Sequence, residues 1–132
     1  MSVRNELTVR LANLAATLNI PVAYENVSFV PPPNSAPFLE TVLMPSTTVD
    51  VTVDGTRQRE TGFLQVNVWS KQGVGTKQSD DICNAIKSAF PLIPKIGDVS
   101  IEATPSIRQA IDDKSGYRIV PVIINYRLET TT

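Results

Sequence analysis

The sequence predicts an α+β fold: a mostly antiparallel sheet with a long β-hairpin, and two packed α-helices. Three observations lead there. Leucines recur at helical spacing near the start, and a second helical stretch lies between Thr76 and Phe90. The segments between and after them alternate as strands do, with an Asp54-Gly55 turn signal inside the first alternating pair.

Leu7, Leu11, Leu14 and Leu18 follow one another at spacings of four, three and four, and Val3 extends the stripe backwards. A helix with one buried face is expected from about Ser2 to Leu18, with Ser2 as N-cap and Asn19 and Pro21 as its stop. Val22-Ala23-Tyr24 reads as a short extended piece. Phe29 to Ser35, with Pro31-Pro32-Pro33 inside it, reads as a stiff surface crossing rather than a docking motif for a proline-reading partner.

Pro37 to Met44 is the first strand, turned by Pro45-Ser46. Thr47 to Val53 then alternates, with Val49, Val51 and Val53 on one face. A type I′ turn at Asp54-Gly55 sets Val53 opposite Thr56 and Asp50 opposite Arg59. In that register the valine face runs on through Gln58, Glu60 and Gly62 into Leu64, Val66 and Val68. The opposite face carries Asp50, Arg57, Arg59, Phe63, Gln65, Asn67 and Trp69. A bulge at Gly62 would reverse the second half, because one extra residue flips every side chain.

Ser70 to Gly75 is a loop, and Thr76 or Ser79 caps the next helix. Ile82, Ala85, Ile86 and Ala89 form its apolar face, Asp80 and Asp81 sit in its first turn, and Pro91 and Pro94 end it. Asp98 to Thr104 reads as a short strand, the stretch from Pro105 to Lys114 is unassigned, and Asp113 to Gly116 is a turn. Tyr117 to Leu128 is a long strand, with Pro121 implying an edge, a bulge or a switch between sheets.

At 132 residues, with 42% hydrophobic and 19% charged residues, the chain fits one globular domain spanning 1–132. A net charge of -1 offers no general attraction to nucleic acid or anionic membrane. The opening stretch is broken by Arg4, Asn5, Glu6 and Arg10, so no signal peptide is expected, and no apolar run is long enough to span a bilayer. One cysteine, Cys83, permits no internal disulfide. Histidine is absent, which removes the commonest general base and the usual partner of a nucleophilic serine or cysteine.

Each candidate for chemistry has a structural explanation. Gly73-Val74-Gly75-Thr76-Lys77-Gln78 follows a strand and opens a helix. A dinucleotide fingerprint needs a glycine where Gln78 stands, and a Walker A loop needs Gly-Lys where Thr76 intervenes. Cys83 beside Ile82 and Ile86 reads as a small packed hydrophobe. Asp80-Asp81 and Asp112-Asp113 lack the ligand spacing of a calcium loop. No metal, cofactor or catalytic residue is expected. Two features stay open. Arg57 and Arg59 with Asp50 form either a solvated cross-strand ion pair or a charged hairpin reaching a partner. Phe63 and Trp69, with Gln65 and Asn67 between them, form either a face covered by a helix or a surface buried on association.

The order of these parts resembles the tail terminator proteins of long-tailed phages, the lambda-like minor tail protein group. The resemblance rests on Tyr24-Glu25-Asn26, Phe29 to Pro33, Pro37-Phe38-Leu39, Gly62 to Val68 leading to Gly73-x-Gly75 and a helix ending in Phe90, and Gly116-Tyr117-Arg118 before the closing strand. It implies a non-enzymatic structural protein of the virion tail, assembled in the bacterial host cytoplasm. By the same resemblance, six copies are expected to form a ring on the head-proximal end of the tail tube, stop its polymerisation and prepare it for joining to the head. The implied partners are further copies of the chain, the tail tube protein and a head–tail connector protein. No membrane and no sequence-specific nucleic acid is implied, and the weak net charge is compatible with a lumen that lets DNA pass. Ring contacts are expected through the Phe63–Trp69 face or through the hairpin from about Thr48 to Arg59. Two other readings are a head–tail connector or neck-completion protein and, more remotely, a small nucleotide-binding domain using the Gly73–Gly75 loop.

Overall fold

The computed structural model describes residues 3–33, 36–50, 52–73, 75–93, 99–112 and 116–131. Helix α1 (Val3–Leu18) buries Leu7, Leu11 and Ala15 completely or nearly so, with Leu14 packed partly against the same core. Its end is a Schellman motif. Asn19 takes a positive φ of 58°, the Asn19 N–H donates to the Ala16 carbonyl at 3.2 Å and the Ile20 N–H to the Ala15 carbonyl at 2.9 Å. The expected N-cap, Ser2, lies outside the described residues.

The strands are β1 (Val22–Ala23), β2 (Phe38–Asp50), β3 (Arg57–Lys71), β4 (Val99–Ile101), β5 (Ser106–Ile107), β6 (Ile111–Asp112) and β7 (Tyr117–Thr131). They form one seven-stranded sheet in the order β1-β2-β3-β7-β4, with β5 and β6 also paired to β7. Every pairing is antiparallel except the short parallel β1–β2 contact. Helix α2 (Lys77–Ala89) packs with α1 on one face of this sheet. The core lies between: Leu39, Leu64, Val66, Val68, Val122, Ile124 and Tyr126 from the strands meet Leu7, Leu11, Ile82, Cys83 and Ile86 from the helices. Arg10 of α1 ties the helices together by donating to the Ala89 carbonyl at the C-terminus of α2, where a cation is favoured.

Three expectations are corrected, and the open question of a bulge at Gly62 is decided. Pro45-Ser46 does not turn the chain; β2 runs through it with one extra residue, since Pro45 pairs with Gly62 and Thr48 with Glu60. β3 itself pairs with β7 without interruption, so Gly62 is no bulge. The hairpin tip is not a type I′ turn. The Gly55 N–H donates to the Thr52 carbonyl at 3.1 Å, and only Gly55 has positive φ, because Asp54 is held by its own side-chain bonds to Thr52 and Thr56. This longer tip moves the register by one residue, so that Asp50 pairs with Gln58 and Val49 with Arg59. Finally, β7 extends to Thr131 and lies inside the sheet despite Pro121. The Pro121 carbonyl accepts from the Arg108 N–H at 2.8 Å, so its missing donor points to the side where pairing is already broken into the short β4, β5 and β6.

Candidate interaction face

Side chains alternate across a strand, so β3 sorts its residues without exception. Leu64, Val66 and Val68 point into the core. Phe63, Gln65, Asn67 and Trp69 point to the opposite face, where each is half-buried and no helix among the described residues covers it. Of the two readings left open by the sequence, the helix-covered one does not hold. Arg57 and Arg59 lie on this same outer face. Asp50 does not: paired with Gln58, it belongs to the helix-side face, and the expectation that it shares a face with the arginines is corrected by the one-residue register shift.

The outer face has two ends. At one, Phe38 stacks on Trp69 with centroids 5.1 Å apart, and Tyr117 meets both edge-on at 5.3 and 5.5 Å. Phe29 adds a tilted contact to Phe38 at 5.0 Å. Pairing lines up Phe38, Trp69, Ile119 and Ile111 in one apolar row across four strands. The segment from Tyr24 to Pro31 walls this cluster and leaves a groove of about 540 Å³ against Phe38, Glu40, Trp69 and Tyr117. Beside it runs a polar relay. Gln65 Nε2 donates to Asn67 Oδ1 at 2.8 Å, and Asn67 Nδ2 and Trp69 Nε1 both donate to Glu40 Oε1, at 2.8 and 3.3 Å. The amides therefore have partners within the monomer yet remain at the surface.

At the other end, Glu129 of β7 gathers the arginines. Arg57 Nη2 donates to its Oε2 at 3.0 Å; Arg59 donates to Oε1 through Nε at 3.2 Å and Nη2 at 2.9 Å. Arg127 Nε stands 3.9 Å from the same Oε1. The Arg59 hydrogen bonds hold the Glu129 carboxyl below the usual glutamate range, and the charges of Arg59, Arg127 and Arg57 add to this. Glu129, and not Asp50, is the partner of Arg57 and Arg59.

Among the described residues no cluster of metal-ligating side chains occurs, and no helix is long and apolar enough to cross a membrane. The Cys83 thiol is buried and pushed up to about 11, by desolvation first and the Asp80 charge second, with Arg118 opposing. Gly73 and Gly75 both take positive φ, at 79° and 84°, and turn β3 into α2. β3 has antiparallel neighbours on both sides, so the loop opens no parallel βαβ unit. The residues that sequence reasoning missed are Phe38, Glu40, Tyr117, Arg127 and Glu129. The alternation of β2 and β7 held their parity, but only the pairing of β3 with both strands puts them on one face.

A family model described as phage tail terminator protein matches residues 2–126. Among solved structures, a protein known by a sequence designation alone superposes with a TM-score of 0.75 at 25% identity, covering 96% of this chain and 92% of that one. A component of the virion of a native gene transfer agent particle shares the fold, with a TM-score of 0.63 at 16% identity, covering 97% of this chain and 95% of that one. No curated protein matches.

Proposed function

The chain belongs to the phage tail terminator protein family and is a structural part of a phage tail; from that premise we propose that it caps the head-proximal end of the tail tube as a homo-hexameric ring. One side of the ring matches the last ring of tube subunits. The other offers no site for a further subunit and receives the head–tail connector. Termination is then a matter of surface complementarity: no bond is made or broken, and the whole chain acts as one such domain.

The observation that carries this reading is the helix-free outer face. It presents Phe63, Trp69 and Met44 beside hydrogen-bonded amides, the mixed composition of surfaces that are buried on association yet tolerate exposure first. Arg57, Arg59, Phe63, Gln65, Asn67 and Trp69 are its proposed contact residues, and Asp50 is proposed to make contact from the other side of the hairpin. The shared fold with a component of a gene transfer agent virion supports placement in a particle.

The test is to add the protein to polymerising tail tube subunits and measure tube length by electron microscopy. Termination predicts shorter tubes with a ring at one end. An unchanged length distribution, with binding to connector rings instead, favours the neck-completion reading.

A further inference from the structure

The register that separates Asp50 from the arginines gives the end of the hairpin two faces of opposite charge. The outer face carries Arg57, Arg59 and Arg127 against the single carboxylate of Glu129. Of these, Arg57 is half-exposed. The helix-side face carries Asp50 and Glu60, set opposite Gln58 and Thr48 and without a cation between them. Neither carboxylate has an ion-pair partner among the described residues. Here the sheet has run past its core: Thr48, Val49 and Asp50 are exposed, and Val53 at the tip is fully so. The tip is nonetheless ordered by its own bonds, with Asp54 Oδ1 accepting from Thr52 Oγ1 at 2.7 Å, the Thr56 N–H at 3.1 Å and Thr56 Oγ1 at 2.9 Å.

We infer that this hairpin is the contact between neighbouring copies of the chain, with the arginine face of one hairpin set against the Asp50–Glu60 face of the next. The inference rests on the ring reading above and specifies its subunit interface. Charge selects the occupant and the symmetry together. A two-fold contact through either face would oppose like charges, arginines to arginines or carboxylates to carboxylates. A head-to-tail contact uses each face once per copy and pairs opposite charges at every junction, the arrangement that closes into a ring.

Two variants test it. Asp50→Arg with Glu60→Arg makes both faces basic; Arg57→Glu with Arg59→Glu makes both acidic. Assembly is read by sedimentation velocity and by counting rings on tube ends, with circular dichroism reporting folding. Each variant alone is expected to lose assembly by about tenfold or more, because every junction then opposes like charges. An equimolar mixture is expected to restore rings, since alternating variants pair opposite charges all the way round an even-membered ring. Arg57→Gln with Arg59→Gln, which adds no repulsion to Glu129, is expected to fold and to assemble weakly, with less sensitivity to salt than wild type between about 0.05 and 0.5 M. Variants that assemble alone like wild type, or folded variants whose mixture does not assemble, overturn the inference while leaving a capping ring intact. Wild-type protein that forms no ring, free or on tubes, overturns both.

Discussion

The ring of Tyr126 lies directly over Gly62 of the adjacent strand: a Cβ built on Gly62 would stand 2.5 Å from the Tyr126 hydroxyl oxygen and 2.8 Å from its Cζ. The Met44 carbonyl would be 2.6 Å away on the other side, just before the point where β2 bulges. Tyr126 is completely buried and is the largest side chain in the core to be so. The glycine is therefore the space into which the core's bulkiest ring fits. Gly62→Ala is expected to destabilise the protein by about 1–3 kcal/mol, the usual cost of overpacking. Thermal unfolding followed by circular dichroism measures it. Tyr126→Phe in the same chain should not restore stability, because the ring carbon and the Met44 backbone remain in the way. Unchanged melting of Gly62→Ala would mean that the sheet yields at the bulge.

Phe63 and Trp69 share a face but not a role. Trp69 is stacked on Phe38, edged by Tyr117 and bonded to Glu40, so Trp69→Ala is expected to lower stability by about 1–3 kcal/mol as well as weaken assembly. Phe63 pairs across the strands with Met44 and Asn125, away from that cluster. Phe63→Ala is expected to cost less than about 1 kcal/mol in stability while reducing assembly about tenfold. Comparing chemical denaturation with sedimentation separates the two effects. A large stability loss for Phe63→Ala, with assembly unchanged, would remove this face from the proposed interface.

The divide between what was legible and what was not follows the physics of local and non-local order. Leu7 and Leu11, Ile82 and Ile86, and the alternation of Leu64, Val66 and Val68 are periodic signals, and all of them are in the core. The existence of the hairpin was equally local. Its register was not, because Asp54 has two ways to make a turn and the competing side-chain bonds to Thr52 and Thr56 decide between them. One residue of difference there moved Asp50 to the other face. The arginines' true partner, Glu129, lies about seventy residues on, in a strand whose place beside β3 no spacing reveals. Gly62 stood out as a place for something irregular, but its reason was the ring of Tyr126 on another strand.

The hairpin tip should be sensitive to Gly55 and to acid. Gly55 has φ of 72° with open space around its Cα, so a side chain there meets strain and no clash. Gly55→Ala is expected to cost about 1 kcal/mol from the left-handed backbone alone. Asp54 is held below the usual aspartate range, first by its bond from the Thr52 hydroxyl and then by the Thr56 backbone and side chain. A depressed carboxyl pKa stabilises the tip above the ordinary value of 3.8 and loses that effect as pH falls through the lower, folded value. The protection factor of the Thr56 amide, measured by NMR hydrogen exchange and corrected for the intrinsic pH dependence of exchange, should therefore fall as pH drops below 3.8. Asp54→Ala, which removes the accepting oxygen, should leave it weakly protected at all pH values.

Glu129 titrates in the same direction, with a different consequence. Its folded pKa lies below the ordinary 4.5, principally because Arg59 hydrogen-bonds its ionised form. Its contribution is thus present above pH 4.5 and fades as pH drops through the depressed value. On protonation Arg57, Arg59 and Arg127 lose their shared counter-charge, and the outer face of the hairpin becomes more basic. The hairpin strands that these bonds join are then expected to open more readily, and their amide protection factors to fall as pH drops below 4.5 while the helices remain folded. Glu129→Gln isolates this contribution. It removes the counter-charge at neutral pH, so the hairpin strands should fray sooner in hydrogen exchange at pH 7. Contact with the carboxylates of the next copy should remain, because the arginine face becomes more basic and not less. Loss of assembly in a folded Glu129→Gln variant would instead make the Glu129 carboxylate, and not the arginines, the group that the next copy contacts.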